Sequence, residues 1–183
     1  VLVVSAVACL ALSPLRADAQ TSQAAEPRLK PLDVIYVPTP PEVVARMLTM
    51  AKVGPGDVVY DLGSGDGRIV IAAVKDFRAA GGVGYELDPV RNREANENAR
   101  AAGVTDKVRF IADDLFEADL SRATVITTYL LPELNARLVP TFEKLKPGTR
   151  IVTHNYDLSP DWKPVEKVVL DGHVIYSFVV RKR

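Results

Sequence analysis

Short apolar segments alternate with segments of helical period along most of this chain, and this alternation restricts the possible folds more than any other feature of the sequence. The apolar segments have the length of buried strands, and we predict strands over 57–61, 83–87, 107–112, 123–128 and 149–154. Strands that alternate with helices of about 10–15 residues predict an α/β fold, with a mostly parallel sheet and helices on both of its faces.

The end of the chain has a different pattern. Two strand-like segments, 165–170 and 173–180, flank a short turn at Asp171-Gly172. A turn of this type between two strands is typical of a β-hairpin. We therefore expect an antiparallel hairpin at one edge of the sheet.

Length and composition exclude several classes of protein. A chain of 183 residues fits one domain, and its 23 Lys and Arg balance its 23 Asp and Glu, so bulk electrostatic binding to nucleic acid is not expected. A single cysteine excludes an internal disulfide framework and a thiolate metal cage. No His, Cys and carboxylate group has metal-ligand spacing, and we predict that the protein binds no metal.

The start of the chain differs from the rest. Residues 1–12 form an apolar run, and Ala17-Asp18-Ala19 fits a signal-peptidase site. We predict a signal peptide or hydrophobic anchor over 1–19, a flexible linker over 20–33 and the folded domain over 34–183. Two locations of the protein are compatible with this prediction. The protein is either exported to the periplasm or anchored in the inner membrane through residues 1–12, and the domain faces the cytosol if the segment is uncleaved.

A glycine-rich turn follows the first predicted strand. It reads Gly63-Ser64-Gly65-Asp66-Gly67, and glycines at this density let the backbone approach a ligand closely and direct helix N-terminal amides at it. A dinucleotide fingerprint needs a third glycine where Arg68 or Val70 stands. Neither register fits, so a dinucleotide cofactor is not predicted.

Carboxylates lie at or just after the carboxyl ends of three successive predicted strands. Asp61 lies at the glycine turn, where it would repel a pyrophosphate and attract a cation. S-adenosylmethionine carries an ammonium and a sulfonium and no phosphate. Glu86 is placed to accept hydrogen bonds from ribose hydroxyls, and Asp114 is favoured over the adjacent Asp113 for the adenine amino group. This arrangement predicts an S-adenosylmethionine site.

Two motifs resemble those of class I S-adenosylmethionine-dependent methyltransferases: DLGSGDGRIV at 61–70 and GYELDP at 84–89. Together with Tyr36-Val37-Pro38-Thr39-Pro40 they are similar to the mitochondrial-type protein-lysine N-methyltransferases, which modify the ATP synthase c subunit and the adenine nucleotide translocase, and to bacterial relatives of that family. The resemblance covers about residues 34–165. It implies a Rossmann-like, seven-stranded sheet in the order 3-2-1-4-5-7-6.

The resemblance also implies roles for individual residues. The residues expected around the methionine part of the cofactor are Asp61, Gly63, Ser64, Gly65 and Gly67, with Glu86 at the ribose and Asp114 at the adenine. The segment 127–132 lacks the Asn-Pro-Pro-Tyr/Phe motif of many enzymes that methylate nucleobases or glutamine. Its absence disfavours those substrates and is compatible with the lysine family.

The acceptor side of the site is predicted from aromatic residues and a histidine. Aromatic faces attract a cationic or methylated amine, and the candidates for such a wall are Tyr36, Tyr129, Tyr156 and Trp162. His154 lies at the end of the fifth predicted strand and is the candidate proton acceptor, because histidine can take up a proton near neutral pH. We name Tyr129, Tyr36 and His154 as candidate catalytic residues, while ordinary packing stays open for the aromatic residues and a structural role for the histidine.

The sequence therefore predicts a methyltransferase of bacterial origin that uses S-adenosylmethionine to modify a lysine of a protein substrate. Membrane proteins are included among the expected substrates. The protein is expected to be a monomer and not to bind nucleic acid. Two alternatives remain open at this point. One is a methyltransferase for a small molecule or lipid. The other is a module that binds S-adenosylmethionine without catalysis.

Overall fold

The computed structural model describes residues 36–182. The predicted signal peptide or anchor over 1–19 and the predicted linker over 20–33 lie outside these residues. Within residues 36–182, no helix combines the length and the apolar character that crossing a membrane requires.

The chain forms one seven-stranded sheet flanked by helices. The helices are α1 (Pro41–Met50), α2 (Arg68–Lys75), α3 (Pro89–Ala102) and α4 (Pro132–Phe142). The strands are β1 (Val58–Leu62), β2 (Gly81–Tyr85), β3 (Val108–Ile111), β4 (Val125–Thr128), β5 (Arg150–His154), β6 (Glu166–Leu170) and β7 (His173–Val179). The strand order is β3-β2-β1-β4-β5-β7-β6, and β7 runs antiparallel to both β5 and β6. The predicted fold and hairpin are confirmed.

The boundary between α2 and β2 differs from the prediction. The helix ends at Lys75 rather than near residue 80, and Gly81 and Gly82 belong to the strand instead of only interrupting a helix. A Cβ on Gly82 would lie 2.5 Å from Cγ1 of Val70. The glycine is therefore required because α2 packs directly onto β2 at this point.

Apolar residues cover both faces of the sheet. On one face α1 buries Val44, Met47 and Leu48, the spacing predicted for an amphipathic helix. On the other face α4 buries Leu138 and Phe142. Because helices cover both faces of the central strands, only the ends of these strands are available for function.

The register of the central strands brings three loops together. Leu62 at the end of β1 pairs with Tyr85 of β2 and with Thr128 of β4. The residues that follow these strands, Glu86 and Tyr129 among them, therefore surround the glycine turn. This is the edge at which open α/β sheets bind ligands.

Candidate active site

A cavity lies beyond the carboxyl ends of β1, β2, β3 and β4 and is bordered by the segment that precedes α1. The predicted site residues that line it are Tyr36, Asp61, Gly63, Ser64, Glu86, Asp114 and Tyr129. Gly65 and Gly67 lie in the same turn but do not line the cavity. His154 does not line it either.

Gly65 is held at a close approach between the turn and the segment before α1. Its φ of 52° is in the left-handed region, and a Cβ at this position would overlap the ring of Tyr36. Tyr36 thus packs directly on the backbone of the turn. A side chain at residue 65 would push the ring of Tyr36 away from the cavity.

Glu86 joins the glycine turn to the start of α3. Its Oε2 accepts a hydrogen bond from the amide of Gly65 at 2.8 Å, and its Oε1 accepts one from the amide of Asp88 at 2.8 Å. Each carboxylate oxygen can accept a second hydrogen bond. Glu86 can therefore hold the turn and still accept hydroxyl donors from a ligand in the cavity.

Asp61 is a buried carboxylate without a cationic partner among the described residues. It is 2% exposed and accepts one hydrogen bond, from Oγ1 of Thr127 at 2.6 Å. Burial raises the pKa of Asp61 to about 7; the hydrogen bond from Thr127 opposes this shift and the charges of Glu86 and Asp66 add to it. A raised pKa means that the ionised form of Asp61 is destabilised in the free protein. A cationic ligand in the cavity would stabilise that ionised form.

Ser64, in the glycine turn, has a buried side-chain hydroxyl that lacks a hydrogen-bond partner among the described residues. A buried hydroxyl left unsatisfied costs about 1–3 kcal/mol. The Oγ atom packs over β2, where a Cβ on Gly84 would lie 2.5 Å from it. The preference of the site for a cation therefore rests on Asp61, and S-adenosylmethionine is a cation that suits this carboxylate.

Arg68 fixes the segment before α1 above the glycine turn. It pairs with Asp66 through Nε at 2.9 Å, donates from Nη1 to the carbonyl of Thr39 at 2.9 Å, and donates from Nη2 to the hydroxyl of Tyr36 at 3.3 Å. Burial alone would raise the pKa of Asp66, but the hydrogen bonds and charge of Arg68 lower it overall. Arg68 is thus a structural ion-pair partner.

The acids after β3 both reach the cavity. Asp114 accepts a hydrogen bond from the amide of Phe116 at 3.0 Å and so caps the short 3₁₀ helix Leu115–Glu117. Asp113 accepts one from the amide of Asp114 at 2.7 Å. Since both carboxylates line the cavity, the choice of Asp114 over Asp113 for the adenine stays a prediction.

Tyr129 forms the wall of the cavity after β4, and its position depends on residues of β5 and the turn that follows. Its hydroxyl accepts a hydrogen bond from Nδ2 of Asn155 at 3.0 Å. Its ring centroid lies 3.9 Å from that of His154. Leu130 and Leu134 also line the cavity beside it and give this wall an apolar surface.

His154 lies one layer below the cavity. It is fully buried, with Nδ1 3.1 Å from Oγ1 of Thr39 and Nε2 2.9 Å from Nδ1 of His173. Burial, with the neighbouring charge of His173, lowers the pKa of His154 to about 4, so the ring is neutral at physiological pH. The geometry places His154 in support of Tyr129 and Thr39; a direct role in proton transfer stays a prediction.

The four-residue aromatic wall is wrong in part. Tyr36 and Tyr129 line the cavity, and Tyr156 lies beside Tyr129 with the ring centroids 6.4 Å apart. Trp162 packs edge-on against Phe178 instead, at 6.5 Å, and borders a different depression next to α4. The loop between β5 and β6 leads Trp162 away from the carboxyl ends of the strands.

The cavity lining is acidic although the chain as a whole is neutral. Its carboxylates are Asp61, Asp66, Glu86, Asp88, Asp113 and Asp114, and its guanidinium groups are Arg68 and Arg91. Among residues 36–182, no group of three His, Cys, Asp or Glu side chains has the geometry of a metal site. The excess of carboxylates favours cationic ligands and acceptors.

Comparison with known proteins gives consistent matches. The model of the ANTKMT methyltransferase domain matches residues 61–166. A protein-lysine N-methyltransferase of Saccharolobus islandicus is 48% identical over 152 residues, which cover 80% of this chain and 94% of that protein. An adenine nucleotide translocase lysine N-methyltransferase of Mus musculus is 35% identical over 139 residues, or 75% of this chain and 59% of that protein.

A solved structure is also similar. It is described as an RNA methyltransferase from Salinibacter ruber in complex with S-adenosyl-L-homocysteine. It is 51% identical in sequence and superposes with a TM-score of 0.77, covering 80% of this chain and 95% of the other.

Proposed function

Because this chain belongs to the ANTKMT methyltransferase domain family, we propose that it methylates the side-chain amine of a lysine in a protein substrate. It is an S-adenosylmethionine-dependent methyltransferase. The structural observation that carries the cofactor assignment is the buried carboxylate of Asp61, which has no cationic partner among the described residues and lies at an acidic cavity.

Residues of this chain are proposed to hold the cofactor by charge and hydrogen bonding. Asp61 and Ser64 would face its methionine part, Glu86 the ribose hydroxyls, and Asp114 the adenine. When bound, S-adenosylmethionine supplies an electrophilic methyl group on a positively charged sulfur. The apolar wall beside Tyr129 excludes water, which keeps the amine in place and strengthens the interaction of Asp61 with positive charge.

Lysine presents an ammonium that must lose a proton before its nitrogen can attack the methyl group. The acidic lining attracts the ammonium, and the hydroxyl of Tyr129 offers a neutral hydrogen-bonding group for the amine. His154 is neutral and lies below Tyr129. Water at the cavity mouth accepts this proton before the nitrogen attacks, and the methylated nitrogen then carries the positive charge that was on the sulfur.

The experiment is a methyl-transfer assay with the full chain and methyl-labelled S-adenosylmethionine. The acceptors are nuclease-treated total cell protein, protease-treated total RNA and an extract of lipids and small molecules. We expect label in methyl-lysine after hydrolysis of the protein fraction. We also expect Glu86→Gln to abolish the signal, while Glu97→Gln on the exposed face of α3 retains it.

The three acceptor pools separate the alternatives. Label in RNA, the activity named for the Salinibacter ruber relative, would overturn the lysine assignment, as would label in the lipid and small-molecule extract alone. Binding of the cofactor with no label in any pool would identify a non-catalytic module. The acidic cavity favours a lysine ammonium over an RNA phosphate.

We also propose that residues 1–12 associate with a membrane and bring the domain to a membrane protein that presents the lysine. The support is the apolar character of the run. Because the run is shorter than the roughly 20 residues of a comfortable membrane span, we propose association with the membrane and not a crossing. Fractionation of cells that produce the full chain tests this, with protease accessibility reporting the side of the membrane. Recovery of the full chain in a soluble fraction alone would refute the membrane association. The expected monomeric state is a separate prediction, and analytical sedimentation of the full chain would test it.

A further inference from the structure

Asn155 lies directly after β5 and was not identified from the sequence. Its φ of 63° is in the left-handed region, which asparagine adopts more readily than most residues. Its backbone N–H donates to the carbonyl of Val174 at 2.6 Å, and its side-chain Oδ1 accepts a hydrogen bond from the backbone N–H of Val174 at 3.0 Å. The side chain is thereby fixed to β7.

This contact with β7 determines which end of the Asn155 amide faces Tyr129. A backbone N–H can only donate, so the atom of Asn155 that faces Val174 must be the oxygen. The nitrogen, Nδ2, therefore faces the hydroxyl of Tyr129 at 3.0 Å, and it can only donate. The orientation follows from hydrogen-bonding chemistry.

The hydroxyl of Tyr129 is restricted as a consequence. A phenolic oxygen can accept hydrogen bonds and donate one. Since Asn155 occupies part of the acceptor capacity, the hydroxyl proton turns away from Asn155 and another acceptor position remains for the cavity. His154 supports the ring itself, with centroids 3.9 Å apart, so both the ring and the hydroxyl are held.

We propose that Asn155 is a positioning residue: it orients the hydroxyl of Tyr129 so that the phenolic oxygen accepts a hydrogen bond from the substrate amine. This inference rests on the proposed lysine methylation. An amine N–H that donates to Tyr129 has its lone pair directed elsewhere, and a fixed acceptor therefore sets the direction of attack. Asn155 acts on the reaction only through Tyr129.

Asn155→Asp tests the donor without removing the contact to β7. Its carboxylate still accepts the amide of Val174 but cannot donate to Tyr129, so the Tyr129 hydroxyl turns to donate to it. We expect the rate of methyl-lysine formation at saturating cofactor to fall about 10–100-fold, with the cofactor dissociation constant changed less than threefold. Asn96→Asp, on α3, introduces the same charge and should retain the wild-type rate.

A double-mutant cycle with Tyr129→Phe distinguishes positioning from a general structural role. Because Asn155 acts through the hydroxyl, Asn155→Asp should add less than threefold to the loss caused by Tyr129→Phe. Independent losses that multiply would overturn the inference. If Asn155→Asp lowers the melting temperature or the cofactor affinity, Asn155→Gly replaces it in the same cycle, since glycine accepts the left-handed conformation.

A measurement without turnover completes the test. In the wild type the side-chain amide protons of Asn155 should exchange with water more slowly than in Tyr129→Phe, as observed by NMR. Equal exchange, or a wild-type rate in Asn155→Asp, overturns the inference while leaving the proposed function intact. Absence of methyl-lysine formation by the wild type overturns the proposed function, and the inference with it.

Discussion

Asp57 and Asp61 lie four residues apart, at opposite ends of β1, and their surroundings are opposite as well. Asp57 is paired with Arg150 and also accepts hydrogen bonds from Oγ1 of Thr124 at 2.7 Å and from the amide of Gly54 at 2.9 Å. Asp61 has one hydrogen bond, from Thr127, and no ion pair with a described residue.

The two carboxyl groups are shifted in opposite directions. Burial would raise the pKa of Asp57, but the hydrogen bonds from Arg150, Thr124 and Gly54 lower it overall. Burial raises the pKa of Asp61 to about 7, because its hydrogen bond from Thr127 does not offset the cost of burial. At the amino end of β1 the charge of Asp57 is neutralised within the protein, which stabilises the fold. At the carboxyl end the charge of Asp61 is left for a ligand to neutralise.

The largest effect is expected from removing the cation at the stable end. Arg150→Met leaves Asp57 largely buried and unpaired, which should lower the free energy of unfolding by about 3 kcal/mol. Urea denaturation measures this at pH 7. The variant Asp57→Asn/Arg150→Met should recover part of the loss because no unpaired charge remains; a double variant no better than Arg150→Met would show that the charge of Asp57 is not the cause.

At the other end, Asp61→Asn should have opposite effects on binding and stability. Loss of the charge should weaken S-adenosylmethionine binding about 100-fold, as measured by calorimetry. The free protein should become more stable: the folded pKa of Asp61 is raised, so its ionisation penalises the fold increasingly as pH rises from about 4 to 7. The gain in melting temperature should therefore be larger at pH 8 than at pH 4, and an equal gain at both would contradict the assigned shift.

The pH dependence of cofactor affinity sharpens the same contrast. A cation binds the ionised form of Asp61, so affinity for S-adenosylmethionine should decline as pH falls below about 7, approaching tenfold per pH unit. Titrations at pH 7.5, 6.5 and 5.5 measure it. Asp61→Asn should abolish the decline. A decline that persists in the variant would assign the titration to another group.

Ser64→Ala should give the smallest effect. The buried hydroxyl has no partner among the described residues, so its removal should raise the stability of the free protein by up to about 1 kcal/mol. Cofactor affinity should fall about 3–10-fold if the hydroxyl bonds to the ligand. Ser121→Ala, at an exposed site, is the control for both measurements; unchanged affinity in Ser64→Ala would exclude the hydroxyl from ligand contact.

Local features of the sequence were sufficient to predict much of the cavity. Asp61 and Glu86 lie at the carboxyl ends of predicted strands and Ser64 lies in the glycine turn after the first of them; parallel strands bring such positions together at one edge. The error near Gly81 arose because glycine marks both the end of a helix and a close helix–strand contact. Only the packing of Val70 against Gly82 distinguishes the two.

The sequence by itself determined the alternation of strands and helices, the glycine turn and the acids around it, because these depend on periodicity and on near neighbours along the chain. Tertiary structure alone decided which charges and hydroxyls found partners. Asp57 is paired with Arg150, 93 residues away, and Tyr129 with Asn155, 26 residues away. Such pairings depend on the packing of distant strands, and no local pattern shows why Asp57 is neutralised while Asp61 is left for a ligand.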